Sequence, residues 1–483
     1  MTDSRPMPRL LIAGMSGGSG KTLVSLALLL ALRRAGFQVR AFKKGPDYID
    51  AAWLGWAASH PARNLDTYLM GQDTVRSSFI RNGFARNAIT DGVNLIEGNR
   101  GLFDGFDAAG THSSAALSHC LATPVLLVIN AAKVTRTAAA FVAGCRALDP
   151  ELPIRGIILN NVNGQRHEQI LREAIESACA IPVVGTIRKA AVNPLPERYL
   201  GLVPPQEHDA TEQIQEDLLK LADGFDLDAI LSIARSAPAL GTDPPEVSIS
   251  AVKDIKVGYL RDSAFSFYYP ENLEQLEQGG AELIPISSLQ SNALPEGLCA
   301  LYIGGGFPEK YAEVLSSNRS FLESIRQAAL GGLPIYAECG GLILLAQTLH
   351  WEGRAYPMAG VFSFDTQVCN TPQGHGYSEL RVDAPNPFLP VGLVLRGHEF
   401  HYSRILLRDR DKDKPVDTAG AVVRGVGCFQ KRDLVITRNV MAGYTHLHAL
   451  ATPEWAKAFL NAARGFASRA AHRNASSTVE VMG

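Results

Sequence analysis

The sequence predicts an α/β fold in two parts: a doubly wound parallel sheet bearing a phosphate loop (P-loop), then a second α/β domain. Three observations carry that expectation. Short apolar runs alternate with helix-length segments in both halves. A glycine-rich segment, AGMSGGSGKT (13–22), follows the first run, and the rhythm stops over SAPALGTDPPEVSIS (236–250) before restarting. Apolar runs buried on both faces, each followed by a helix, are the sequence form of a parallel sheet.

Taken in order, RLLIAGM (9–15) reads as a strand and Leu23 to Ala35 as a helix ended by Gly36. FQVRAFK (37–43), VNLIEG (93–98), PVLLVIN (124–130), IRGIILNNV (154–162) and IPVVGTI (181–187) read as further strands. Residues 211–235 carry one helix pattern. The Pro-, Ser- and Gly-rich stretch after it has no periodicity and reads as a linker. The rhythm then resumes with IKVGYLRD (255–262), AELIPIS (281–287), CALYIGGG (299–306) and LPIYAECGG (333–341). This gives a first domain over 8–235, a linker over 236–253, a second domain over 254–465 and a mobile polar tail over 466–483.

Composition narrows the class. At roughly 150 residues per domain, 483 residues allow about three domains or two large ones, and 46% hydrophobic residues can fill more than one core. Lys plus Arg (46) nearly cancels Asp plus Glu (48), so the chain lacks the global field of a nucleic-acid or anionic-membrane binder. A local basic pocket remains open. The longest apolar run, Leu26 to Leu32, is too short to span a membrane. The seven cysteines, at 120, 145, 179, 299, 339, 369 and 428, form no C-x-x-C pair, which argues against a disulfide scaffold or zinc site and suits a reducing cytoplasm. Pro and Gly stand at the N-terminus where a signal peptide would need an apolar stretch.

GGSGKT between a strand and a helix is the context a phosphate loop requires. Gly17, Gly18, Ser19 and Gly20 let backbone N–H groups turn toward a polyphosphate, and the helix N-terminus adds its dipole. Lys21 would reach the β- and γ-phosphates and the Thr22 hydroxyl would ligate Mg²⁺. The spacing is one residue longer than G-x-x-x-x-G-K-T: Met15 stands at the first glycine position and Gly14 precedes it. Asp47 in KKGPDYID (43–50) and Glu97 in EGNRGLFDG (97–105) follow neighbouring strands and converge on the same sheet edge. Singly, an Asp is more often a helix cap; together with the loop they make a nucleotide–magnesium site.

The second domain carries different chemistry. Cys339 lies between an apolar strand and an apolar helix, in LPIYAECGGLILL (333–345). A nucleophile on such a turn needs small neighbours, and the helix N-terminus is expected to lower its thiol pKa. IGGGFPEKY (303–311) offers backbone N–H groups to an oxyanion, and GYTHLH (443–448) offers His446 as base. The other six cysteines read as ordinary buried residues. In GHEFHYS (397–403), the alternation of His398, Phe400 and Tyr402 against Glu399 and His401 reads as a strand with one buried face, ahead of the alternative of a direct catalytic role.

AGMSGGSGKT, FKKGPDYID, RNLDTYL (63–69), EGNRGLFDG and ILNNV (158–162) occur in the order found in cobyrinic acid a,c-diamide synthases, which the chain resembles over about residues 8–465. The resemblance implies a dethiobiotin synthetase-like ATP domain fused to a class I glutamine amidotransferase domain. It further implies that ATP and Mg²⁺ phosphorylate a carboxylate of a cobyrinic acid-type corrinoid and that ammonia from L-glutamine displaces the phosphate. Lys21 and Thr22 would then hold phosphate and metal, with Asp47 and Glu97 as metal ligands. Asp50 and Asp104 would lie at the acceptor carboxylate or its phosphorylation machinery, and Asn160 would read the adenine edge. Cys339 would attack the glutamine amide with His446 as base, and Gly305, Gly306 and Gly340 would line the oxyanion hole. Many class I members have a Glu two residues after the His; here that position is His448, which leaves the group orienting His446 unidentified.

LPERYLGLVP (195–204) has Tyr199 where the family usually has His, with Arg188, Lys189 and Arg198 nearby as basic residues for an anionic substrate. The exact tetrapyrrole therefore stays open: the shared motifs do not separate cobyrinic or hydrogenobyrinic acid from Ni-sirohydrochlorin of the coenzyme F430 route. A partition-type ATPase switch is a distant alternative, because its signature Lys five residues before Lys21 is Ser16 here. A homodimer is allowed but not specified by these residues.

Overall fold

The apolar runs of the first half become one sheet because each is shielded on both faces. The computed structural model describes residues 6–84, 91–189, 194–195, 197–198, 201–205, 211–241, 253–408 and 416–481. Its first sheet contains β1 (Arg9–Gly14), β2 (Gln38–Lys44), β3 (Arg63–Leu65), β4 (Gly92–Glu97), β5 (Val125–Asn130), β6 (Ile154–Val162) and β7 (Val183–Arg188). They lie in the order β3-β2-β4-β1-β5-β6-β7, with every neighbouring pair parallel. The short β3 lacks a periodic signal and was not predicted. Because the order reverses around β1, the C-terminal ends of β1, β2 and β4 share one crevice.

Helix α1 (Lys21–Arg34) starts at the end of the glycine-rich loop, and its Leu26–Leu32 run is buried throughout. Helix α2 (Tyr48–Ala58) is capped by Asp47, whose Oδ1 accepts from the Asp50 N–H at 2.8 Å. The helix expected over 211–235 is two helices, Thr211–Leu221 and Leu227–Arg235. Between them Gly224 lies so close to Thr186 O that an added Cβ would stand 2.1 Å away, and Asp226 restarts the helix by accepting from Ala229 N at 2.9 Å. Propensity ran through the break; packing and a cap impose it.

The two units of the chain are 1–245 and 246–483. The first residues of the expected linker pack onto the first unit: Leu240 is buried, and Pro238 O accepts from Arg9 Nη2 at 2.7 Å. Residues 242–252 of that linker lie outside the described residues.

In the second unit, Ala281–Ile286, Ile255–Leu260, Ala300–Ile303, Ile335–Glu338 and Val440–Gly443 form the parallel part of a ten-stranded sheet. Arg432–Thr437, Thr418–Arg424, Gly374–Val382, Val394–His401 and His446–Leu447 continue it antiparallel. The strand rhythm had named only the first four parallel members. The antiparallel part is half-exposed and interrupted by a register shift at Glu379/Leu380, so it lacks continuous apolar runs. Residues 466–481, expected as a mobile polar tail, continue the last helix, Pro453–Val481, which the buried Trp455, Phe459, Leu460 and Ala463 anchor. Among the described residues no helix is long and apolar enough to cross a membrane.

Candidate active sites

The loop after β1 closes tightly. A Cβ added at Gly14 would stand 2.9 Å from the Ser19 side chain, so position 14 supplies the glycine that Met15 does not. Met15 turns aside, with its Sδ 3.5 Å from Cys145 Sγ. Ser19 Oγ donates to Ser16 O at 2.8 Å and accepts from Ser16 N at 3.1 Å, while Gly18 and Gly20 take φ of 71° and 92°. Lys21 is buried and donates to Ser16 O at 3.1 Å. Burial first, then Lys43, lowers its pKa against the opposing pull of Glu97, Asp50 and Asp104.

A cavity of about 530 Å³ opens from this loop, lined by Gly17, Gly18, Gly20, Lys21 and Thr22 together with Lys43, Asp47, Asp50 and Glu97. Lys43 and Glu97 are register partners on β2 and β4, so their side chains share a face. Lys43 Nζ donates to Glu97 Oε1 and to Asp50 Oδ2, both at 2.6 Å. Thr22 Oγ1 donates to the same Glu97 oxygen at 3.0 Å. Burial works against the Lys43 cation, but Asp50, Glu97 and Asp47 outweigh it and raise its pKa. Burial raises the pKa of Glu97 and, joined by Asp50, pushes Asp47 up to about 7.

These residues fit a magnesium ion. Glu97 Oε2 is fully buried without a hydrogen-bond partner among the described residues, while its other oxygen, Oε1, accepts from the Thr22 hydroxyl. No group of three or more His, Cys, Asp or Glu forms a metal cluster among those residues. A cation that takes one or two carboxylates plus phosphate oxygens needs none.

Two expected site residues make contacts with loop backbone. Asp104 is exposed and does not line the cavity; its Oδ2 accepts from Gly101 N at 2.8 Å and holds the turn after β4. Asn160 lines the cavity, but its Nδ2 donates to Ser19 O at 3.0 Å and its Oδ1 accepts from Asn161 N at 2.9 Å. The amide assigned to adenine therefore braces the phosphate loop, close enough that a Cβ at Gly20 would stand 2.1 Å from it. Arg188 lines the cavity and Lys189 is exposed, whereas Tyr199 and the Arg198 side chain lie outside the described residues.

In the second unit, Cys339 caps the short helix Gly340–Leu345 with φ 47° and ψ −96°, a strained backbone for a side chain. Its N–H donates to Gly443 O at 2.7 Å, which ties the turn to the segment leading into His446. An added Cβ at Gly340 would stand 3.0 Å from Gly306 N, and one at Gly305 2.6 Å from His446 Cε1. Gly305 thus lies against His446, and Gly306 lies against Gly340, the residue after Cys339. The expected low thiol pKa is not found: burial, then Glu309, pushes Cys339 up to about 12 despite the opposing Gly340 N–H. A six-residue helix has too small a dipole to overcome complete desolvation.

Sequence reasoning missed Lys43 and Glu338. Lys43 stood inside a quoted motif, but only strand pairing shows which carboxylates it meets. Glu338 Oε2 lies 3.3 Å from His446 Nδ1, a pair 108 positions apart that no local pattern reveals. His448 turns instead to Glu271, at 3.7 Å, and lies against Tyr269 at 4.5 Å. His398 and Glu399 are both buried, so the single buried face expected for 397–403 is incorrect. His398 stacks on His446 at 4.9 Å, while Glu399 accepts from Gly427 N at 2.9 Å.

Comparison with known proteins agrees with this division. Residues 10–202 match the model of the CobQ/CobB/MinD/ParA nucleotide binding domain, and 256–454 that of the CobB/CobQ-like glutamine amidotransferase domain. The cobyrinate a,c-diamide synthase of Magnetococcus marinus is 42% identical over 457 residues, covering 93% of this chain and 96% of its own. Its counterpart in Syntrophotalea carbinolica is 38% identical, covering 95% and 99%. That of Archaeoglobus fulgidus is 36% identical, covering 95% and 98%.

Proposed function

The chain belongs to the cobyrinate a,c-diamide synthase family, a group of glutamine amidotransferase ligases, and from that premise we propose that it amidates the a and c carboxylates of a cobyrinic acid-type corrinoid through acyl phosphates. The observation that supports the chemistry is the hydrogen-bonded set Thr22–Glu97–Lys43–Asp50 at the mouth of the phosphate loop. A carboxylate is a poor electrophile until one of its oxygens becomes a leaving group. Attack of that oxygen on the γ-phosphorus of ATP forms the new P–O bond as the bond to ADP breaks. Lys21 and Lys43 face the charge that gathers on the transferring group. Thr22 and Glu97, with Asp47 beside them, would hold magnesium, which supplies further positive charge to the phosphate oxygens. Ammonia then attacks the acyl carbon, phosphate departs with the C–O electron pair, and the nitrogen gives up one proton, which the departing phosphate can take, to leave the amide.

In the second unit Cys339 Sγ attacks the glutamine amide carbon as its proton passes to His446. The carbonyl electrons move onto oxygen beside the Gly306 and Gly340 backbone. His446 returns the proton to the leaving ammonia, and water hydrolyses the thioester to glutamate. Protein incubated with ATP, Mg²⁺, glutamine and cobyrinic acid should yield a product with two amide nitrogens by mass spectrometry. Turnover of nickel sirohydrochlorin with an unchanged corrinoid would redirect the substrate assignment.

A further inference from the structure

We propose that Glu338 is the positioning residue of the glutaminase site: it holds His446 by Nδ1 and leaves Nε2 to serve the Cys339 thiol. The proposal rests on Cys339 and His446 being nucleophile and base.

Glu338 is the last residue of the strand Ile335–Glu338 and immediately precedes Cys339, so nucleophile and carboxylate share one rigid piece of backbone. Its side chain is fully buried, which makes its partners decisive. Tyr336 OH donates to Oε1 at 2.9 Å and Leu447 N at 3.1 Å. Tyr302 OH donates to Oε2 at 3.3 Å, the oxygen that meets His446 Nδ1. With Oε2 already accepting from Tyr302, the proton of the His446 contact sits on Nδ1, which fixes the tautomer whose Nε2 is unprotonated and basic. The Leu447 contact clamps the same carboxylate to the backbone beside His446, so ring and loop are held together. Asn272 secures that loop further, donating to Leu447 O at 2.9 Å and accepting from Ala449 N at 2.7 Å.

Neighbouring groups do not replace this function. His448 is engaged with Glu271 and Tyr269. His398 stacks on His446 and meets Tyr269 OH at 3.2 Å; burial, then His446, keeps its pKa well below the ordinary histidine value, so it brings no charge. When the Cys339 proton moves to His446, the resulting imidazolium therefore faces the Glu338 carboxylate. An acid supplied from the strand before the nucleophile thus stands in for one two residues after the base.

The test uses the full chain. In Glu338→Gln, kcat for glutamine hydrolysis should fall roughly 100-fold or more, KM for glutamine should stay within about threefold, and ammonia-driven amidation should be unchanged. Glu338→Asp should recover part of kcat. Thermal unfolding of each variant reports the fold. A Gln variant with kcat within about threefold of the parent overturns the proposal, as does a loss carried equally by KM. A loss that tracks the unfolding midpoint without rescue by Asp also overturns it. Cys339→Ala separates the two readings. If it still uses glutamine, the nucleophile assignment fails; if it is inactive while Glu338→Gln is unimpaired, only the role of Glu338 fails.

Discussion

Lys43 and Glu97 face each other across adjacent parallel strands, 2.6 Å apart and buried together at the phosphate-loop end of the sheet. A buried cation in that position pairs with two carboxylates, since Asp50 is also 2.6 Å away. Its energetic importance lies in what its removal would leave behind. Lys43→Met should cost about 3–5 kcal/mol, because breaking a buried pair strands its partner's charge. The urea transition of the first domain measures this. Adding Glu97→Gln to Lys43→Met should restore part of the loss; additive losses would contradict the coupling.

Asp47 serves a structural and a chemical end at once. Its cap on α2 survives in Asp47→Asn, whose side-chain oxygen can still accept from Asp50 N, but is lost in Asp47→Ala at about 1 kcal/mol. Both variants should lose amidation with free ammonia, because both lose the carboxylate. Full activity in Asp47→Asn would reduce Asp47 to a cap.

Cys339 should be sluggish toward iodoacetamide without glutamine. With the thiol pushed up to about 12, its thiolate fraction, and hence its alkylation rate, should climb about tenfold per pH unit between pH 8 and 11. Cys299 and Cys369, both partly exposed, provide internal references for peptide mapping. A rate already level at pH 8 would mean that the thiolate is preformed.

His398 should make the second domain acid-sensitive. Burial holds its folded pKa well below the ordinary value near 6.5, so below that pH the unfolded chain takes a proton that the folded chain refuses. Stability present above pH 6.5 is therefore lost as pH falls toward the folded pKa. His398→Phe should flatten that part of the stability–pH curve, read by urea unfolding at pH 7 and 5.5.

Local sequence carried much of this protein. Six of the seven parallel strands of the first sheet, the phosphate loop with Lys21 and Thr22, and the Cys339 turn were legible because each is a short pattern: a run buried on both faces, a glycine cradle, a small-residue turn. The extension of the last helix past 466 and the break at Gly224 were not, since packing, a cap and the continuation of favourable residues decide them.

What the sequence determined by itself was which chemistry is present: a phosphate-binding end, a thiol end, and the apolar periodicity that builds a sheet under each. Tertiary structure decided which groups meet. Lys43 finds Glu97 through strand register, Glu338 finds His446 across 108 positions, and Asn160 reaches the phosphate loop at Ser19. It also raised the Cys339 thiol pKa where the helix N-terminus alone predicted a lower one. The reason is the same in each case: pairing and desolvation depend on what folding brings within a few ångströms, and neither is written in neighbouring residues.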